Sequence, residues 1–171
     1  MKILVLGEAG CGKTSLIRRL SLRRFDKSYL MTIGMDPTSV RILLSGHQPS
    51  ELQLNIWDIA GQKQFQLYRQ AFYSGANGAL FVYDLTRNKS LYELRNWHKE
   101  LEKYRPGIPA VLVGNKFDLP DLVSIGDDEI ERLGQEIRAV TSIKTSALSG
   151  ANVEEAFRRI ALDVLKRPSG L

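Results

Sequence analysis

Ile3 to Leu6 is an unbroken apolar run, and Leu16, Ile17 and Leu20 follow at helical spacing, so the pattern predicts a buried strand and then a helix. Residues 21–37 lose periodicity and read as a long loop, of a kind that is often functional in compact domains. Val40, Ile42 and Leu44 alternate with polar positions, as do Leu52, Leu54 and Ile56, which predicts two half-buried strands. Ser45 to Ser50, with Gly46 and Pro49, is the turn between them. Residues 58–70 are polar and aperiodic at first, then helical to Tyr73. Gly78 to Asp84 is a second apolar run and predicts a buried strand. Ser90 and Glu93 have capping-box spacing before a helix face of Leu91, Leu94, Trp97, Leu101 and Tyr104, which Pro106-Gly107 ends. Ala110 to Val113 is the next buried strand. Ile130, Leu133, Ile137 and Val140 mark a helix that Gly134 weakens. A short strand near Ser142 to Lys144 precedes a last helix, capped by Asn152 and Glu155, with Val153, Ala156, Phe157, Ile160, Val164 and Leu165 as its buried stripe.

Strands alternate with helices after an early hairpin. That order predicts an α/β fold: a mostly parallel sheet with helices on both faces and one antiparallel edge strand. In such sheets ligands sit at the carboxyl ends of the strands. The 171 residues fit one domain, and no repeat or linker divides them.

Composition narrows the classes. With 43% hydrophobic and 25% charged residues the chain is of ordinary globular type. No stretch approaches the roughly 20 apolar residues of a membrane span, and the first apolar run is too short for a signal peptide. The only cysteine, Cys11, cannot form an internal disulfide, which fits a reducing compartment. His47 and His98 stand in no metal-ligand pattern. Part of the net charge of +5 clusters as Arg18, Arg19, Arg23, Arg24 and Lys27. This is read as a solvated face in preference to an anionic-surface site, with at most weak peripheral membrane contact. No aromatic interleaving or recognised module points to nucleic acid.

The candidate chemistry begins where the first strand ends. Gly7 to Thr14 fits GxxxxGK[ST] in the strand–loop–helix context that a phosphate loop requires. Its glycines let successive N–H groups face one anion, and the helix N-terminus adds partial positive charge. The candidate cradle is Ala9, Gly10, Cys11, Gly12, Lys13, Thr14 and Ser15, with Lys13 reaching the phosphates and Thr14 ligating Mg²⁺. Asp58-Ile59-Ala60-Gly61-Gln62 also follows a strand. There Asp58 can hold Mg²⁺, Gly61 can meet a γ-phosphate and Gln62 can orient a water. Asn115-Lys116-Phe117-Asp118 can read guanine: Asp118 accepts from its N1–H and N2–H₂, and Lys116 lies over the flat base. Asn115 can tie this loop to the phosphate loop. Ser146-Ala147-Leu148 follows the last strand, with the Ala147 N–H a candidate donor to the guanine O6. Each of the two later motifs reads alone as a polar turn; order and spacing raise the whole above its parts.

GxxxxGKT, Thr32, DxxGQ, NKxD and SAL, in that order, resemble the Ras-like small GTPases, closest to the Rab branch through TIGMDP, WDIAGQ, YSGANGALFVYDLT and GNKFDL. The resemblance runs from about Lys2 to Lys166. It implies the three-layer P-loop NTPase fold of small G proteins, with a six-stranded sheet and about five helices. It also implies GTP/GDP and Mg²⁺ as ligands, and a slow hydrolysis that switches two loops and serves vesicle transport or related signalling. On matching positions it makes Thr32 the switch I ligand of Mg²⁺, Phe25 the aromatic against the base, and Gln62 and Lys13 the catalytic groups. Effectors, exchange factors and GTPase-activating proteins are the implied partners. Three departures qualify it. Ala9 places a methyl near Gln62 that would slow hydrolysis. Pro37 replaces the phenylalanine that packs with positions matched here by Trp57 and Tyr73. The sequence ends KRPSGL without a cysteine for prenylation, so a cytoplasmic location is expected, peripheral on membranes if a tail has been removed. The rivals are a nucleotide-locked scaffold that does not cycle, which Ala9 favours, and a P-loop ATPase or kinase, which NKxD disfavours.

Overall fold

The computed structural model describes residues 1–22, 35–44, 46, 48, 50–62, 64 and 66–167. The strands are β1 (Lys2–Leu6), β2 (Met35–Leu43), β3 (Glu51–Ile59), β4 (Gly78–Asp84), β5 (Ala110–Asn115) and β6 (Thr141–Lys144). They form one sheet in the order β2-β3-β1-β4-β5-β6. Only β2 is antiparallel, paired with β3 from Met35↔Ile59 to Leu43↔Glu51, so it is the edge strand that the hairpin pattern predicted. Pro37 lies on it, where a missing N–H is tolerated. The other five strands run parallel, and their carboxyl ends share one edge.

Alternation along each central strand divides the core into two layers. Ile3, Val5, Leu80, Val82, Val111 and Val113 face one way, onto Leu16 and Ile17 of α1 (Lys13–Leu22) and Val153, Ala156, Phe157 and Ile160 of α6 (Val153–Leu165). Leu4, Leu6, Phe81, Tyr83 and Leu112 face the other way. They meet Tyr73 of α2 (Gln66–Tyr73), Leu94, Trp97 and Leu101 of α4 (Leu94–Tyr104), and Ile130 and Leu133 of α5 (Asp127–Glu136). A short α3 (Asn88–Tyr92) precedes α4. With α3 and α4 counted as one broken helix, the described residues carry the implied six strands and five helices.

Several local expectations are corrected. Ser90 is not an N-cap: α3 begins at Asn88, and the Ser90 hydroxyl donates to Arg87 O at 2.6 Å and accepts from Asp84 N–H at 2.9 Å. Glu93 is the junction between α3 and α4 instead. Asn152 precedes α6 in a left-handed conformation, φ 55°, but makes no side-chain cap. Its Nδ2 donates to Lys144 O at 2.9 Å, fastening the loop that follows β6. Val140 lies beyond the end of α5, where its N–H pairs with Ala110 O. Leu165 is exposed, and Ala161 takes its place in the buried stripe.

Phe157 is 1% exposed at the centre of one layer, so Phe157→Ala should cost about 3–5 kcal/mol through the cavity it leaves. Gly134 sits inside α5, and a Cβ there would meet only Leu112 Cδ1, at 3.6 Å. Gly134→Ala should therefore stabilise by roughly 0.5–1 kcal/mol. Urea midpoints at fixed nucleotide concentration, with unchanged slopes, check both.

Candidate functional site

The carboxyl ends of β1, β3, β5 and β6 deliver the described parts of the phosphate, DxxGQ, NKxD and SAL loops to one edge. The β1 loop folds back sharply because its glycines adopt positive φ: Gly7 141°, Gly10 77° and Gly12 92°. Two of these also admit no side chain. A Cβ on Gly7 would lie 2.1 Å from Val82 O, and one on Gly12 would lie 2.2 Å from Asn115 Nδ2.

The carbonyls of the loop are taken up by surrounding donors. The buried Lys13 ammonium donates to Gly7 O at 2.8 Å and Glu8 O at 2.9 Å. Arg87 Nη2 donates to Ala9 O at 3.0 Å, Asn115 Nδ2 to Cys11 O at 2.9 Å, and Leu16 N–H to Gly12 O as α1 begins. Cys11 N–H bonds back to Glu8 O at 3.5 Å, and with so many carbonyls held by donors the loop suits an anion nest built from the remaining peptide N–H groups. Burial draws the Lys13 ammonium below the ordinary lysine range, against the opposing pull of Asp58. Burial also raises the Cys11 thiol, although Lys13 and Arg87 pull the other way, so at neutral pH it is protonated and inert.

The Thr14 hydroxyl donates to Asp58 Oδ2, bringing two hard oxygens together beside Lys13. That donor set suits Mg²⁺, which accepts few protein ligands and takes the rest from phosphate and water. Gly61 is buried against the loop; a Cβ on it would lie 2.4 Å from Ala9 N and 2.5 Å from Glu8 C. Gln62 is half-buried and its Oε1 accepts from Gln64 Nε2 at 3.4 Å, so its amide is turned along its own loop. Ser15 is half-buried one turn into α1. Phe25 and Thr32 lie outside the described residues.

On the base side, Asn115 is 2% exposed. Its Oδ1 accepts from Ala147 N–H at 3.1 Å while its Nδ2 holds Cys11 O, so one amide joins three loops. The Ala147 N–H, the expected donor to the base, pairs with Asn115 in this structure. The Asp118 carboxylate is held by the Ser146 hydroxyl at 2.6 Å. Lys116 adopts φ 69°, a strained conformation for a non-glycine residue of the kind kept at functional loops. Its ammonium pairs with Asp84 Oδ2 at 2.6 Å. Leu148 is exposed, with its carbonyl and that of Ala147 held by Arg19 of α1.

Three participants escaped the sequence reading: Arg19, Asp84 and Arg87. Arg19 had been counted only as part of a charged face. Asp84 is fully buried, and its carboxylate accepts from Thr86 N–H and hydroxyl, Arg87 Nε and Lys116 Nζ. The available signal was a carboxylate closing the apolar run of β4, three residues before an arginine. Burial pushes the Asp84 carboxyl up, but the bonds from Lys116 and Thr86 more than reverse this and hold it below the usual carboxylate range.

The effector-surface expectation is also corrected. Tyr73 is fully buried, its hydroxyl donating to Glu100 at 2.7 Å, so it lines no surface. Phe72 takes the place assigned to it, 5.9 Å from Trp57 between ring centroids. Pro37 sits opposite Trp57 in the sheet register, and Lys2 Nζ lies 3.9 Å over the indole.

A model of the Ras family matches residues 2–166. Rat "Ras-related protein Rab-13" is 37% identical over 170 residues, covering 99% of this chain and 82% of that protein. Human "Ras-related protein Rab-8B" is 36% identical over 167 residues, covering 97% and 79%. "Ras-related protein Rab-8B" of Dictyostelium discoideum is 37% identical over 168 residues, covering 98% and 81%.

A folded-state pKa below the unfolded value stabilises above the unfolded value and ceases to do so as pH falls through the folded one. Asp84→Asn should therefore cost about 1–3 kcal/mol at pH 7, less than a fully buried pair because Arg87 and Lys116 remain partly in water. The gap between parent and variant should close as pH falls below about 4, the usual carboxylate value, since protonated aspartic acid and asparagine are then alike. Urea unfolding from pH 7 to pH 2 measures it.

Proposed function

From the premise that the chain belongs to the Ras family of small GTPases, as a Rab-like member, we propose that it binds GTP and GDP with Mg²⁺ at this edge as a single small GTPase domain. It hydrolyses GTP slowly and cycles between two states that differ in the loops around Thr32 and Gln62. The observation that carries the reading is the Asn115 amide, which fixes the phosphate loop at Cys11 O and the base loop at Ala147 N–H as one rigid body. Such a joint is useless for a phosphate site or a base site alone and suits a ligand that has both.

Each residue then has a task. Lys13 and the loop amides bind phosphate oxygens. Thr14 and Asp58 hold Mg²⁺, which supplies positive charge against that of the phosphates when bound. Gln62 turns from Gln64 to orient the attacking water, and Gly61 gives its N–H to the γ-phosphate. Asp118, oriented by Ser146, reads the N1–H and N2–H₂ edge of guanine. Phe25 and Thr32 serve the base and the metal. The methyl of Ala9 crowds Gln62 and slows the step. Effectors, exchange factors and activating proteins of the family's kind act on the two loops, and Pro37, Trp57 and Phe72 with Lys2 form the surface that selects among them. A role in membrane traffic follows from the Rab relatives. No described helix is long and apolar enough to cross a membrane, and contact with membranes is weak and peripheral.

The base assignment is tested by displacing a fluorescent guanine nucleotide with GDP, XDP and ADP. The parent should reject ADP by about 10⁴-fold or more, as sites do when buried polar groups lose their partners. Asp118→Asn should shift preference from GDP towards XDP, because the 2-carbonyl of xanthine repels a carboxylate and accepts from an amide. Equal affinity of the parent for ADP and GDP would refute the guanine reading.

A further inference from the structure

Arg87 lies one turn beyond β4, where nothing in the phosphate or base motifs requires a cation. Its guanidinium nonetheless reaches the phosphate loop. Nη2 donates to Ala9 O at 3.0 Å and lies 3.3 Å from Cys11 Sγ, while Nε donates to Asp84 Oδ2 at 2.9 Å. Asp84 is immobile: fully buried, and held by Thr86 through both N–H and hydroxyl. Arg87 is thus a strap with one end fixed on β4 and the other on the outer side of the loop.

We propose that Arg87 is a positioning residue of the phosphate loop, which holds the Ala9–Gly10 peptide in its anion-facing orientation and so sets how long a guanine nucleotide stays bound. The inference rests on the nucleotide reading given above. The carbonyl of Ala9 and the N–H of Gly10 belong to one peptide unit. A cation on the carbonyl fixes the plane of that unit and polarises it, so the N–H becomes a stronger donor on the opposite face. Gly10 has φ 77°, and a Cβ there would approach Arg87 Nη2 at 3.7 Å, so the guanidinium packs directly behind the residue it orients. Lys13 performs the same service for Gly7 and Glu8, and Asn115 for Cys11, so Arg87 at Ala9 falls between two carbonyl groups held in the same way. The guanidinium stands on the carbonyl side of the loop. Its action is through the peptide and through residual charge, partly screened because the side chain is 47% exposed.

Asp84 Oδ2 also receives Lys116 from the base loop, so Arg87 has a second route to the nucleotide, and the test must separate the two. Release of GDP and of IDP, which lacks the 2-amino group that Asp118 reads, is followed in stopped flow for the parent, Arg87→Ala, Arg87→Lys and Asp118→Ala, with Mg²⁺ present. Arg87→Ala should release both nucleotides roughly 10-fold faster or more, the worth of one charged hydrogen bond, and leave the ratio of GDP to IDP rates as in the parent. Arg87→Lys, which keeps one charged bond to Ala9, should fall between the two. Asp118→Ala should abolish the GDP–IDP difference instead. Unchanged release from Arg87→Ala, a lysine variant no slower than the alanine one, or loss of the GDP–IDP difference in Arg87→Ala would each overturn the assignment. So would slowed GTP hydrolysis with release at the parent rate, which would put Arg87 on the chemical step. A parent that binds neither nucleotide refutes the site reading and this inference together; a parent that retains GDP, with Arg87→Ala retaining it equally, refutes this inference alone.

Discussion

The geometry of the site depends on one buried amide. Asn115 closes β5, and its side chain spends both ends on backbone: Nδ2 on Cys11 O and Oδ1 on Ala147 N–H. At 2% exposure neither end has water as an alternative, so releasing either would strand a buried polar group. Gly12 exists in part to admit this contact, since any Cβ there would collide with Nδ2. The hold of the joint follows from desolvation rather than from bond strength. A net hydrogen bond contributes only about 1 kcal/mol, but an unsatisfied partner costs more.

The sheet makes that joint possible. Five strands run parallel, so five loops leave from one edge, and right-handed connections return each chain through a helix on one face or the other. β1 lies between β3 and β4, and the phosphate loop it carries is consequently flanked by Asp58 from one neighbour and by Asp84 and Arg87 from the other. Two carboxylates thus bracket one loop with opposite consequences. Asp58 accepts from the Thr14 hydroxyl, which sets two oxygens side by side where α1 begins. Asp84 is saturated by Thr86, Arg87 and Lys116 and serves as an internal anchor.

The architecture was readable from the sequence because apolar runs and alternation report burial directly, and burial is what the central strands have in common. β1, β4 and β5 were found for that reason, as was the antiparallel hairpin. Capping was less readable. Ser90 and Asn152 have the residue types of N-caps, yet each donates backwards, Ser90 to Arg87 O three residues earlier and Asn152 to Lys144 O eight residues earlier, alternatives that residue type alone does not distinguish from a cap. In the site, the loops announced themselves by glycine and by motif, while Arg19, Asp84 and Arg87 did not. Their partners are backbone groups and side chains 2 to 129 residues away, and a charged residue carries no periodicity that points to such a partner. Tyr73 and Phe72 show the same limit at finer scale: adjacent aromatics on a helix point about 100° apart, and only the packing decides which one is buried.

That burial also decides what anchors α2. Tyr73 donates to Glu100, which also pairs with the buried Arg69 at 3.2 Å, and Arg69 lies 3.9 Å over the Trp97 ring. The second half of α2 is therefore locked to α4 by a cation, a carboxylate and two aromatics that cannot be separated without exposing charge in the core. At the other end, Gly61 rests against Glu8 and Ala9 closely enough to exclude any side chain. Gly61 meets the backbone of the phosphate loop, whereas Arg69 meets charged and aromatic side chains of α4, so displacing Arg69 would disturb the core. Gln62, half-buried, accepts from Gln64 within its own loop, between the Gly61 contact and the anchored helix.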